Sequence, residues 1–154
     1  MRLSIKRYIG SAVALLGVVF YIPVTFADPT TMDNGDAGWS VTAGSWLYVP
    51  SDARYYNSDT HYNAAGVGSN VAQWEFTGLE PGFYDISATW LENSNRGTDV
   101  PYTIYNGVSE IETVDINQEL VPDDFTYDSV GWEYLGQNYE ITSTSIIIEI
   151  KDNS

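Results

Sequence analysis

Apolar and polar residues alternate in several short segments that follow residue 27. In Val71–Phe76, the side chains of Ala72, Trp74 and Phe76 fall on one face of an extended chain. The segment Phe83–Trp90 repeats the pattern. No stretch after residue 27 keeps apolar residues at helical spacing over three turns. The alternation therefore predicts β-strands that bury one face and expose the other.

Turn residues separate the predicted strands. Asn106-Gly107 lies between Pro101–Tyr105 and Val108–Ile116, which is a strong signal for a β-hairpin. Near the end, Ile146–Ile150 is typical of a well-buried strand. About eight short strands at this spacing predict an all-β fold, an antiparallel β-sandwich of jelly-roll type rather than a closed barrel.

Two segments are too long for hairpin turns. Pro50–Ser69 is rich in tyrosine, and Leu120–Val130 is acidic and aromatic. A loop of the first segment's length either carries function or contains a short strand. We find no repeat and no linker, so residues 28–154 are predicted to form one domain.

Residues 1–27 have the layout of a secretory signal peptide. The first basic residues are Arg2, Lys6 and Arg7. They precede an apolar run from Tyr8 to Val24 and the small residues of Thr25-Phe26-Ala27, so Asp28 is the expected mature start. The alternative is an uncleaved membrane anchor, since the apolar run is nearly long enough to span a bilayer.

The chain is strongly acidic. It has 6 basic and 21 acidic residues, a net charge of −15. Without residues 1–27, three basic residues remain against all 21 acids, which gives −18. Such a field repels phosphate backbones and anionic lipids, which excludes nucleic-acid binding and disfavours membrane contact after signal removal. The absence of cysteine and the single histidine exclude disulfides and His- or Cys-rich metal centres.

Several motifs in the sequence have the residues, and follow the order, that are typical of a known family. They are Asp33–Val41, Gly44–Trp46, Gly78–Tyr84, Asn93–Tyr105, Val114–Gln118 and Trp132–Gly136. Over most of residues 32–150, the sequence resembles the carbohydrate-binding-like C-terminal domain of golvesin and xanthan-lyase-type proteins. The resemblance implies a β-sandwich of a kind appended to extracellular proteins, often to enzymes that act on polysaccharides.

The resemblance also implies a further apolar strand after Ile146–Ile150, whereas the sequence ends at Ser154. A missing last strand would leave unpaired N–H and C=O groups along a neighbouring strand. We therefore expect either a marginal monomer or a domain that pairs with a protein partner, or with a second copy, through an exposed terminal edge strand.

The candidate ligand-binding residues lie in predicted loops. They are Tyr55, Tyr56, His61, Tyr62, Asn95 and Arg96. Tyrosine offers a stacking surface with a polar tip, and a guanidinium group donates paired hydrogen bonds. The alternatives are tyrosines that seal the sandwich edge, an arginine that braces neighbouring carboxylates, and a polar loop histidine without a catalytic role.

The tryptophans are predicted to play different roles. Alternation places Trp74 and Trp90 in the core. Trp39 and Trp132 lie near turns and are candidates for core lids. Trp46 remains open between a core role and a ligand-binding role.

Acidic turns supply hard oxygen ligands for a calcium ion. The candidate ligands are Asp33, Asp36, Asp123 and Asp124. Neither turn has the spacing of an EF-hand loop, and the alternative is a pair of solvated acidic loops. No cofactor is required by this prediction, and calcium would at most brace a loop.

These observations predict a secreted or cell-envelope module, not an enzyme, that binds an extracellular or cell-surface polysaccharide. The alternative is a structural or adhesive module whose partner is a protein. A small hydrolase with two catalytic carboxylates comes third, because a suitable pair arises by chance among 21 acids.

Overall fold

A computed structural model of the protein describes residues 1–9 and 25–153. The regular elements in these residues are β-strands and one 3-10 turn. The strands are β1 (Arg2–Ile9), β2 (Thr25–Phe26), β3 (Thr30–Asp33), β4 (Trp39–Ala43), β5 (Leu47–Val49), β6 (Thr60–Tyr62), β7 (Val71–Thr77), β8 (Gly82–Thr89), β9 (Val100–Asn106), β10 (Ser109–Ile116), β11 (Phe125–Tyr127), β12 (Val130–Ile141) and β13 (Ser145–Lys151). The 3-10 turn, Tyr56–Ser58, precedes β6. No α-helix occurs among the described residues.

All strand pairs are antiparallel, and they form two facing sheets. One sheet has the order β11-β12-β8-β1-β2, with β3 also paired to β1, and the other has the order β10-β9-β13-β7-β4. A separate ribbon pairs β5 with β6, so the long segment before β7 contains a short strand. The prediction of an all-β antiparallel sandwich is confirmed.

The core lies between the sheets. Strand β13 buries Ile146, Ile148 and Ile150, and β7 buries Trp74 and Phe76 against it. Alternation placed Trp74 and Phe76 on one face of their strand, and Ile146–Ile150 was predicted as a well-buried strand. Burying an aliphatic or aromatic side chain of this size stabilises the fold by about 1.5–3 kcal/mol.

The β9–β10 hairpin forms at the predicted Asn106-Gly107 turn. Asn106 pairs with Ser109 across a two-residue connection, and Gly107 adopts a φ of 62°. Glycine reaches this left-handed conformation without the steric cost that a Cβ atom brings. The hairpin prediction is confirmed.

Strand β8 differs from its prediction because both of its faces are covered. The polar residues Asp85, Ser87 and Thr89 are also buried. Tyr8 Oη donates to Asp85 at 2.6 Å, and Thr89 Oγ1 donates to the carbonyl of Gly131 at 2.8 Å. Polar side chains with partners can be buried at little cost, so the expectation of a solvated face is wrong.

The terminal strand β13 is not an edge. It pairs with β7 on one side and with β9 on the other. The expectation of an exposed terminal edge strand is therefore wrong for the described chain, because β13 lies in the middle of its sheet.

Part of the predicted signal peptide is a strand of the first sheet. Strand β1 pairs with β8 and with β3, and Leu3 and Ile5 are 0% and 2% exposed in the core. Residues 2–9 thus belong to the first sheet of the full chain, although the sequence assigns residues 1–27 to a signal peptide outside the domain. Their removal remains a prediction.

No described residues form a helix of the length and hydropathy that crossing a bilayer requires. Most of the apolar run on which the alternative of an uncleaved anchor rests falls on residues 10–24. Those residues lie outside the described part of the chain.

Candidate ligand-binding cavity

A cavity of about 280 Å³ lies where two loops distant in sequence meet. Its walls come from the segment around β6, the loop that follows β8, and the end of β13. The antiparallel ladders hold the strands in place, so the side chains at their ends line a preformed space.

The cavity brings together five of the six predicted ligand-binding residues. They are Tyr55, His61, Tyr62, Asn95 and Arg96. Tyr56 does not line it. The guanidinium carbon of Arg2 lies 3.8 Å from the centroid of the Tyr56 ring, and Tyr56 Oη donates to Asp128 at 3.2 Å.

The guanidinium group of Arg96 makes only long hydrogen bonds to neutral groups. Its Nη2 donates to Tyr55 Oη at 3.5 Å, and its Nη1 donates to Asn95 Oδ1 at 3.3 Å. Among the described residues it forms no ion pair, whereas Arg54 pairs with Asp52. The contacts therefore do not support a brace between carboxylates, and Arg96 keeps donors to offer to a ligand.

Trp46, which the sequence leaves open, contributes an unused hydrogen-bond donor. The residue lines the cavity, and its Nε1 is buried without a partner among the described residues. A buried donor without an acceptor costs about 1–3 kcal/mol.

Trp90 is half-buried at the cavity rather than fully in the core as predicted. Its ring lines the space, and its Nε1 donates to the carbonyl of Leu120 at 3.0 Å. Alternation in β8 extends to Trp90 in the sequence, but the strand ends at Thr89, so the ring packs against the core from its border.

Gln118 holds the loop that carries Arg96 and was not identified from the sequence. Its backbone N–H donates to the carbonyl of Gly97 at 2.9 Å. Its Nε2 donates to Tyr102 Oη at 2.7 Å, in the core. Burial raises the pKa of Tyr102, so the phenol is neutral, and its oxygen accepts this hydrogen bond through a lone pair.

Asp152 anchors another wall and was also not identified. Its carboxylate accepts hydrogen bonds from the backbone N–H and the side-chain amide of Asn70 at 3.1 and 2.6 Å. The side-chain hydrogen bond from Asn70 lowers the pKa of Asp152. Its carbonyl also accepts from Gly66 N–H, so the loop before β7 is tied to the end of β13.

His61 lies on β6 between two aromatic rings. Its ring centroid is 4.2 Å from that of Trp39 and 4.9 Å from that of Tyr48. Asn34 Nδ2 lies 3.1 Å from His61 Nδ1, and an amide nitrogen can only donate, so Nδ1 accepts. Burial lowers the pKa of His61, and the neutral imidazole is the form that fits this hydrogen bond.

The protein should lose stability as the pH falls below about 6.5, the ordinary pKa of histidine in an unfolded chain. Because the folded-state pKa of His61 is lower, the unfolded chain binds the proton first. The free energy of unfolding is then highest above the unfolded pKa and decreases as the pH falls towards the folded pKa. Urea midpoints from about pH 8 to pH 5 should fall more steeply for the wild type than for His61→Gln. Equal slopes would contradict this assignment.

Of the four candidate calcium ligands, Asp33 ends β3, Asp36 follows in the bend before β4, and Asp123 and Asp124 lie just before β11. Asp33 accepts hydrogen bonds from Asn34 N–H at 2.8 Å and Asn57 Nδ2 at 2.9 Å, and Asp124 accepts one from Tyr134 N–H at 2.8 Å. Burial raises the pKa of Asp33. Within residues 1–9 and 25–153, no three acidic or histidine side chains form a group that could hold a metal ion. Calcium binding remains a prediction.

The sequence profile of the Golvesin C-terminal domain family matches residues 30–153. The chain belongs to this family. The match includes both loops that line the cavity, whereas β1 and Met1, which also lines the cavity, precede it.

A solved structure of Paenibacillus xanthan lyase contains a similar fold. The similarity has a TM-score of 0.59 and 24% sequence identity, and it covers 78% of this chain but 11% of the lyase chain. At this identity the likeness concerns the fold. No match was found among curated proteins.

Proposed function

We propose that this Golvesin C-terminal domain protein is an exported, non-catalytic module that binds a polysaccharide in the cavity. The family match supports a carbohydrate-related extracellular module. The similar solved structure is a lyase whose name refers to the polysaccharide xanthan, and the shared fold is a small part of it.

The observation that carries the proposal is the pairing of aromatic walls with unused donors. Tyr55, Tyr62 and Trp90 line the cavity together with Arg96, whose guanidinium group has donors to offer a ligand. Sugar rings need a stacking surface for their C–H faces and hydrogen bonds for their hydroxyls. Affinity from so few groups should be about micromolar to millimolar.

The charge of the protein favours a neutral glycan. At a net charge of −15, the protein repels polyanionic chains at low salt. Arg96 would then donate to sugar hydroxyls or ring oxygens rather than to carboxylates.

The cavity lacks the groups that hydrolysis of a glycosidic bond requires. That reaction uses two carboxyl groups, one of them a general acid with a raised pKa. Among the described residues that line the cavity, Asp152 is the only one with a carboxyl group, and hydrogen bonding lowers its pKa. A binding role fits this composition better than catalysis.

Arg96→Ala should weaken binding of a neutral polysaccharide about tenfold, because it removes the hydrogen-bond donors of the guanidinium group from the cavity. Affinity electrophoresis against soluble glucans, mannans and galactomannans, with alginate as a polyanion, measures this directly. Trp46→Phe should retain or raise the melting temperature, since it removes an unpaired buried N–H.

Arg54→Ala is the matched control. Arg54 is exposed, pairs with Asp52 and does not line the cavity, so its loss should leave glycan binding unchanged. Equal weakening by Arg54→Ala and Arg96→Ala, or no binding of any glycan by the wild type, would contradict the proposal.

A further inference from the structure

Strand β1 fills a gap between two strands that belong to the rest of the domain. Arg2–Arg7 pair with Tyr84–Thr89 of β8, and Arg2–Ile5 pair with Thr30–Asp33 of β3. The side chains of Leu3 and Ile5 enter the core from this position. Without β1, one side of β8 and the facing side of β3 would lose their hydrogen-bond partners and the core would open between them.

The gap is acidic, and β1 is basic. In the strand register Lys6 lies beside Asp85 and Arg2 lies beside Asp33. Asp36 and Asp128 also attract the charge of Arg2. The gap therefore favours a strand that has basic side chains as well as apolar residues at the positions of Leu3 and Ile5.

β1 leaves part of its hydrogen-bonding capacity unused. Arg2 Nε and Nη1 and Arg7 Nε are buried without a partner among the described residues. Each such donor reduces the gain from filling the gap. A strand with the same apolar positions and better-placed basic side chains would bind more tightly than β1.

We propose that the gap between β8 and β3 is a strand-acceptor site, which β1 occupies in the unprocessed chain. Once residues 1–27 are removed, a basic β-strand of another polypeptide takes its place by β-augmentation. This inference rests on the export that belongs to the proposed function.

A second copy of the chain does not suit the acceptor. Residues 28–154 carry three basic against 21 acidic residues, so two copies repel each other. Arg54 and Arg96 lie outside the strands, and Lys151 at the end of β13 already pairs with Glu149. No strand after residue 27 offers the charge pattern of β1.

A disulfide trap tests the occupancy of the gap in the full chain. Ser4 and Ser87 are register partners, and the chain has no cysteine, so Ser4→Cys with Ser87→Cys should form one intramolecular disulfide on mild oxidation. Ser4→Cys with Ser143→Cys should not, because Ser143 lies in the turn before β13. Failure of the first pair to cross-link, or equal cross-linking of both, would overturn the proposal.

Strand exchange tests the acceptor itself. A protease site inserted within residues 10–24 allows the folded full chain to be nicked, unfolded in urea and refolded with an excess of a labelled peptide of residues 1–9. We expect the peptide to elute with the large piece in gel filtration. A Leu3→Ser, Ile5→Ser peptide should bind about 100-fold more weakly, and an Arg2→Glu, Lys6→Glu, Arg7→Glu peptide about tenfold more weakly.

Three results of the exchange experiment would overturn the proposal. The first is refolding of the large piece to full stability without taking up peptide, and the second is equal uptake of all three peptides. The third is equal uptake of a peptide of residues 145–151, which stands for a second copy. An exported protein whose mass includes residues 1–27 would do so as well. Glycan binding by the unmodified full chain is measured separately, so loss of the acceptor proposal and loss of the glycan proposal are distinguishable.

Discussion

Replacing Ile5 with aspartate should lower the free energy of unfolding of the full chain by about 3–5 kcal/mol, because a charge would enter the core without a partner. Ile5 is 2% exposed and packs in the main hydrophobic cluster. For a domain of this size the melting temperature should fall by about 10 °C or more. Thermal unfolding of the refolded full chain, followed by circular dichroism, measures the change.

Ile111→Asp is the control, since it makes the same substitution on a strand at a position that is 39% exposed. It should change stability by less than about 1 kcal/mol. If Ile5→Asp melts with the wild type, β1 does not belong to the fold of the full chain. A protein that begins at Asp28 lacks Ile5, so the substitution would leave the processed product unchanged.

Strand identity was predictable from local pattern, because each alternation depends only on neighbouring residues. The alternating segments became β7, β8 and β13, and the Asn106-Gly107 turn became the β9–β10 hairpin. Turn geometry and side-chain period act within a few residues, so a single sequence contains this information.

Strand neighbours were not predictable in the same way, because pairing depends on contacts distant in sequence. β13 lies between β7 and β9, and β8 lies between β12 and β1. Nothing in the Ile146–Ile150 segment specifies these partners. The burial of Asp85 likewise depends on Tyr8, a residue far away in the chain.

The first residues of the chain fit two interpretations. Basic residues before an apolar run indicate an export signal. Leu3 and Ile5 also alternate with Ser4 and Lys6, which is the pattern of a strand with one buried face. Only Leu3 and Ile5 carry the alternation before the apolar run begins at Tyr8, and two positions are too few for the second pattern to outweigh the first from sequence alone.

The side chains in loops that could contact a ligand were predictable from the sequence. The residues that hold those loops in place through hydrogen bonds were missed. Tyr55 and Arg96 stood out as an aromatic ring and a rare cation in loops. Gln118 ends one of the motifs that carry the family resemblance, which was a usable signal. Asp152 had no signal, because its role depends on Asn70 being brought to the end of β13 by the fold.

Trp74→Ala should destabilise the protein by about 3–5 kcal/mol, because it leaves a large cavity between β7, β4 and β13. Trp74 is 2% exposed, and in the two ladders it pairs with Trp39 and Ile148. Its Nε1 is buried without a partner among the described residues, so the ring contributes through packing rather than through a hydrogen bond. Urea unfolding curves of the wild type and the variant provide the measurement.

Trp74→Phe separates packing from polarity. It keeps an aromatic ring and removes the unpaired N–H, so its cost should stay below about 1.5 kcal/mol. A cost equal to that of Trp74→Ala would show that the N–H has a partner or that the full indole is required. Trp74 does not line the cavity, so neither variant should change glycan binding at a temperature where it is folded. Arg96→Ala should do the reverse, which distinguishes a side chain that holds the sandwich together from one that presents donors to a ligand.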